Sequence, residues 1–144
     1  ASGPAWLARV ALLPQLLDWR VNTWLGASVF GSDEFMMINA FAGAGKDKVA
    51  AVMVEGSASQ RAGKHETLNL MAKVAVPLKS WLVLEGRVEQ ATTTTATREA
   101  LTQQLVLGAQ VLPIAYLELR PEYRLIKTDE YALGQYTLQL HTFF

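Results

Sequence analysis

Two histidines, a glycine-lysine turn and alternating Glu and Arg residues are the side chains of this chain with chemistry to offer. His65 and His141 stand far apart, and no Cys or acidic cluster near either supplies the spacing of a metal site. GAGK at 43–46 lacks both the full spacing of a phosphate-binding loop and the Ser or Thr that follows its Lys, so it reads as a turn. No Gly-x-Ser-x-Gly occurs, and His141 beside Thr137 or Gln139 makes no nucleophile-base pair. The expectation is a chain that is not an enzyme and needs no cofactor or metal. TTTTAT at 92–97 reads as an exposed loop.

The charged side chains carry more information, because they recur every second residue. Glu85, Arg87 and Glu89 alternate with Leu84, Gly86 and Val88, and Glu118, Arg120, Glu122 and Arg124 alternate with Leu117, Leu119, Pro121, Tyr123 and Leu125. A period of two places these charges on one face of a strand and the apolar residues on the other. Arg20, Glu55 and Lys73 fall in the same phase of their own segments, which makes five cations and five anions on one face. Opposite signs two residues apart permit ion pairing along and across strands. Such a ladder either lines an ion path or fills a narrow interior.

Composition sets the bounds. The 144 residues suffice for one domain, and 51% hydrophobic content is ample for a folded chain. Thirteen basic and thirteen acidic residues cancel, so no nucleic-acid partner is expected. The absence of Cys excludes disulfides without fixing a compartment. No run of eighteen apolar residues could form a spanning helix, but a spanning strand needs only about 9–11 alternating residues and passes unseen through such a test.

Alternation begins at Trp19 and predicts strands over 19–30, 35–42, 49–59, 67–76, 81–91, 101–111, 116–127 and 136–144, eight in all. Polar loops are expected at 60–66 and 92–99, and tight turns at 77–80 and 112–115. VPLKSWLVLEGRVE and VLPIAYLELRPEYR look alike and read as a repeated hairpin. Residues 1–18 form a separate apolar segment interrupted by Pro14. Its 4–18 portion reads as a short interfacial helix, with Trp6, Val10, Leu13 and Leu17 on one side, or as an extra strand; the even strand count favours the helix. Residues 19–144 are then the β-domain.

Alternation alone does not say whether the apolar rows point into a core or into lipid. Segregation of these ten charges from the Leu and Val rows favours lipid, since Lys or Arg at mid-bilayer costs roughly 2–4 kcal/mol. Lys46, Lys48, Lys64 and Lys79 fall in turns or loops. Trp19, Trp81, Tyr116 and Tyr123 lie near strand ends, as an aromatic girdle would.

The final stretch, DEYALGQYTLQLHTFF, alternates Tyr136, Leu138, Leu140, Thr142 and Phe144 with Gln135, Thr137, Gln139, His141 and Phe143. It resembles the closing strand of bacterial outer-membrane β-barrels, which end in a C-terminal Phe preceded by alternating apolar residues; Thr142 departs from the aromatic commoner at its position. The resemblance covers the last strand strongly and the remainder by pattern. It implies an all-β, antiparallel up-and-down transmembrane barrel of about eight strands in the bacterial outer membrane, with the C-terminus and the tight turns periplasmic and the polar loops outside. It further implies that Tyr136, Leu138, Leu140 and Phe144 belong to a signal read by the barrel-assembly machinery. The expected partners are outer-membrane lipid, that machinery during biogenesis, and a protein in the membrane. The functional expectation is a membrane scaffold, anchor or docking component; the alternatives are a porin-like channel for small polar solutes, complete or as the last strands of a larger barrel, and a soluble ligand-binding β-barrel.

Overall fold

The computed structural model describes residues 4–16, 21–62 and 65–143. The chain is all-β: β1 (Trp6–Leu12), β2 (Gln15–Leu16), β3 (Val21–Gly31), β4 (Phe35–Lys46), β5 (Ala50–Arg61), β6 (His65–Lys79), β7 (Leu82–Thr95), β8 (Glu99–Ile114), β9 (Leu117–Thr128) and β10 (Ala132–Thr142). Each strand from β3 onward pairs antiparallel with the next, and both β1 and β2 pair with β3. Leu12 sits opposite Leu25 and Gln15 opposite Asn22, so β1 and β2 keep one register and form a single first strand broken at Leu13–Pro14. Nine strands therefore make one up-and-down sheet whose first and last members are not paired with each other.

This corrects two expectations. The segment after Pro4 is a strand and not a helix, and the described strands number nine where eight were expected. WLARVAL fits both periods, since Trp6 and Val10 share a side in either conformation. The edge of β3 settles it: a row of unsatisfied backbone groups from Gly31 to Leu25 offers seven paired positions, which a helix would leave bare. Proline interrupts the ladder at Pro14 because it has no N–H to donate, and the Thr23 hydroxyl donates instead to the Pro14 carbonyl at 2.5 Å.

The polar loops expected at 60–66 and 92–99 are mostly strand. Arg61 pairs with His65, Gln60 with Glu66, and Thr94 with Glu99, because backbone ladders form irrespective of side-chain polarity. The hairpins are closed by short reversals with recurrent bonds: Ser32 N–H donates to Phe35 O, Thr95 N–H to Arg98 O and Thr128 N–H to Tyr131 O. Lys48 (φ 58°) and Ala62 (φ 46°) adopt the left-handed conformation that such tight reversals require. Register shifts at Pro77/Lys79 in β6 and at Val111/Ile114 in β8 fall beside Pro77 and Pro113, again where a ladder donor is missing.

Candidate functional site: an ion-paired face and an apolar band

Register assigns every described strand residue to one of two faces. Glu55, Lys73, Glu85, Arg87, Glu89, Glu118, Arg120, Glu122 and Arg124 all lie on the same face, as their periodicity predicted; Arg20 lies outside the described residues. Register also shows which charges meet. Lys73 Nζ is 2.8 Å from Glu85 Oε1 across β6 and β7, and Arg124 Nη2 is 2.9 Å from Glu122 Oε2 along β9. Arg87 Nε approaches Glu89 Oε1 at 2.5 Å in a geometry that makes an ion pair without a directed hydrogen bond. The Asn39 amide donates to Glu55 at 2.6 Å.

The tightest cluster forms on β9 and β10. Arg120 donates to one oxygen of Glu118, and His141 Nδ1 lies 3.3 Å from the other. Glu118 is 4% exposed and Val106, seated opposite Arg87 on one side and Arg124 on the other, is 5% exposed. Among the described residues these two are the shielded side chains of the sheet, and both belong to the charged face. This cluster escaped the sequence reading because nothing in the spacing of 118 and 141 gives the register that pairs them.

The other face is apolar and open. Val10, Val54, Leu70, Val88, Leu107, Leu138 and Leu140 are all exposed on it. Tyr136, Leu138 and Leu140, expected in the closing-strand signal, project here at 84%, 70% and 62% exposure; Phe144 lies outside the described residues. Among the described residues, charged residues on this face occur only toward strand ends: Lys46 on β4, Glu66 and Lys79 on β6, Glu99 on β8 and Lys127 on β9. Between two transverse rows of side chains, one running from Val10 to Lys127 and one from Leu12 to Leu125, a trough of about 1130 Å³ crosses the face from β1 to β9.

The apolar band runs obliquely to the hydrogen-bonded rows. Lys127, Gln103 and Gln90 share one row and mark the polar limit on β9, β8 and β7, with Leu101 alone among the large apolar residues beyond it. The same row continues through Leu70, Gly56, Ala40, Ala27 and Val10, all inside the band. On β5 and β6 the limit comes four residues later, at Gln60 and Glu66, and in that later row β4 still carries Met36. The opposite limit moves likewise. Lys46 ends the band on β4 one residue past the row of Gly45, Ala51, Ala75, Glu85, Gly108 and Glu122, whereas along β9 that row is followed by Pro121, Leu119 and Leu117. Both limits thus shift by about one residue per strand. With a rise of ~3.3 Å per residue and strands ~4.8 Å apart, the strands cross the band at roughly 35–40° from its normal.

Of the expected girdle, Trp81 and Tyr116 occupy the reversals at the end of the sheet that carries Phe143, whose N–H donates to Tyr116 O at 3.1 Å. Tyr123 sits inside β9, four residues from Lys127, and its ring packs on Tyr136 with centroids 4.8 Å apart. Trp19 lies outside the described residues. At the opposite end Arg98 donates to Glu130 at 2.7 Å, tying two hairpin loops together, and this bond raises the guanidinium pKa further above its usual value. His65 begins β6 opposite Arg61 and Thr95, and no group of acidic and His side chains among the described residues is placed to hold a metal. No family model, curated protein or solved structure matches the chain.

Proposed function

We propose that this chain is an integral outer-membrane β-barrel whose apolar band contacts lipid and whose ion-paired face lines a filled interior, and that it serves as an anchor, scaffold or docking component. The oblique band is the observation that carries this reading. A closed barrel requires strands tilted by about 35–45°, and a lipid belt is level only if its limits slide along successive strands by the corresponding offset. An open sheet packed on a soluble core has no such requirement. Along β9 the band runs from Leu117 to Leu125, about 27 Å of strand, which a tilt near 38° reduces to ~21 Å, close to the ~25 Å apolar height of outer-membrane barrels. Confinement of Lys46, Glu66, Glu99 and Lys127 to strand ends supports the same reading. The closing-strand resemblance supports the outer membrane, assembly through Tyr136, Leu138, Leu140 and Phe144, and a periplasmic Phe143 end.

The paired charges favour a plugged interior over a channel for solutes. Each ion pair offsets its own charge, and the shielding of Glu118 and Val106 is what a narrow, side-chain-filled interior predicts. A second reading rests on the trough: a sheet closed around its apolar face would make a soluble ligand-binding barrel with that trough as its cavity. Refolding from urea into detergent micelles or into buffer decides between them. The membrane reading expects a heat-modifiable band on gels after detergent refolding and aggregation without detergent; a monodisperse soluble protein in buffer would refute it. Planar bilayers then separate scaffold from channel, with no stable conductance expected.

A further inference from the structure

We propose that the hairpin ends on the Phe143 side of the sheet form a rim that binds anionic glycerophospholipid headgroups through Lys46, Lys48 and Lys79. The inference rests on the membrane reading and adds to it a lipid class and a leaflet. Lys46 and Lys48 flank Asp47 in the β4–β5 reversal, which Val49 N–H closes by donating to Lys46 O at 3.1 Å. Lys79 ends β6, just ahead of Trp81. All three lysines are exposed, and the ion pairs of the described residues use none of them.

Register puts Lys46 and Lys79 at one depth. Lys46 stands one residue past the row of Gly45, Ala51, Ala75 and Glu85, level with Leu84, whereas Lys79 lies opposite Leu82. This offset of two residues over two strands is the slope of the band limit itself, so a line parallel to that limit joins the two lysines. From strand spacing and rise, their Cα atoms are about 12 Å apart, close enough for two long side chains to reach neighbouring headgroups. Two strands further, the line meets Ile114, which pairs with Leu117 at the reversal that holds Tyr116.

The side chains between the lysines fit the same boundary. Val49, Leu78, Trp81, Ile114 and Tyr116 are all exposed at these ends, an arrangement costly in water and suited to the junction of acyl chains and headgroups, from which long amines reach outward to phosphate. Among the described residues Asp47 is the one acid in these reversals. The described reversals at the other end of the sheet carry Asp33, Glu34, Asp129 and Glu130 with Arg98, which Glu130 already holds. Charge complementarity therefore favours anionic lipid on the Phe143 side.

The test compares the unsubstituted protein with the triple variant Lys46→Gln/Lys48→Gln/Lys79→Gln, each folded into vesicles of phosphatidylcholine alone or mixed with phosphatidylglycerol and then unfolded with urea. In phosphatidylcholine the two are expected to share one midpoint. With phosphatidylglycerol the variant's folding equilibrium constant is expected to fall below that of the unsubstituted protein by a factor of roughly ten to a hundred, since each lysine at an anionic surface gains up to about fivefold. The gap should close in about 1 M salt, and Lys→Arg at the same three positions should restore the unsubstituted response. A triple variant that shifts equally in both lipids would overturn the rim while leaving the membrane reading standing. An unsubstituted protein that enters neither vesicle and stays monodisperse in buffer would instead remove that reading, and the rim with it.

Discussion

Glu118 and His141 face each other across the β9–β10 ladder, with Nδ1 of the imidazole 3.3 Å from one carboxylate oxygen and the Arg120 guanidinium on the other. One acceptor group therefore serves two donors on adjacent strands. Removing the imidazole leaves the Arg120 pair intact, whereas removing the carboxylate charge leaves the Arg120 guanidinium without its counter-ion beside a shielded position. Glu118→Gln is expected to lower the urea midpoint in detergent or liposomes roughly twice as far as His141→Ala does. Tryptophan fluorescence follows the transition, since the chain has four Trp.

Val29 and Thr92 share one hydrogen-bonded row through Ile38, Ala58 and Leu68, yet the oblique band puts Val29 well inside it and Thr92 beyond its limit. A Lys at each position separates lipid depth from position in the sheet. Val29→Lys should cost about 2–4 kcal/mol of folding free energy in liposomes and Thr92→Lys about 0–1 kcal/mol, because the lysine penalty depends on depth in the bilayer. Equal costs would show that the band is not level with a membrane.

The faces of the sheet were legible from residue types, and its neighbours were not. Glu85, Arg87 and Glu89 opposite Leu84 and Val88 announce two surfaces, since a period of two survives any register. Register itself depends on the length of every reversal. Where polar residues near Arg61, His65 and Thr95 continue a ladder, a reading that treats polarity as a loop signal ends the strands early and loses the rows. The Lys73–Glu85 and Glu118–His141 contacts and the oblique course of the apolar band all live in those rows. The first strand was hidden for another reason: Trp6 and Val10 satisfy two periods, and the edge that chooses between them belongs to β3. Counting strands by parity then selected the helix.

Gly26 lies between β1 and β4 where a side chain has no room. A Cβ there would stand 2.5 Å from Cζ of Phe41 and 2.7 Å from the Val10 carbonyl oxygen. The ring can turn away, but the backbone oxygen moves only if β1 does. Gly26→Ala is expected to cost about 1–3 kcal/mol through this overpacking and to speed amide exchange along β1. At Gly56 the nearest atom to an added Cβ is Leu70 Cδ2 at 3.4 Å, so Gly56→Ala should change stability by less than about 0.5 kcal/mol. Hydrogen exchange in micelles reads the first effect strand by strand.

Glu122 and Arg124 form a pair along β9 with Gly108 opposite the carboxylate and Val106 opposite the guanidinium. Gly108 leaves the Glu122 chain room to lie over β8, where its Cγ would be 3.2 Å from an added Cβ. If the charged face encloses a filled interior, each charge is held by its partner more than by water. Glu122→Gln and Arg124→Met taken singly should then destabilise more than the double variant's share of each, giving a coupling of about 1–2 kcal/mol in a double-mutant cycle. On a solvent-exposed face the same pair would couple by less than about 0.5 kcal/mol, because water and salt screen it. Repeating the cycle at high salt sharpens the distinction: an enclosed pair keeps its coupling, and an exposed one loses most of it.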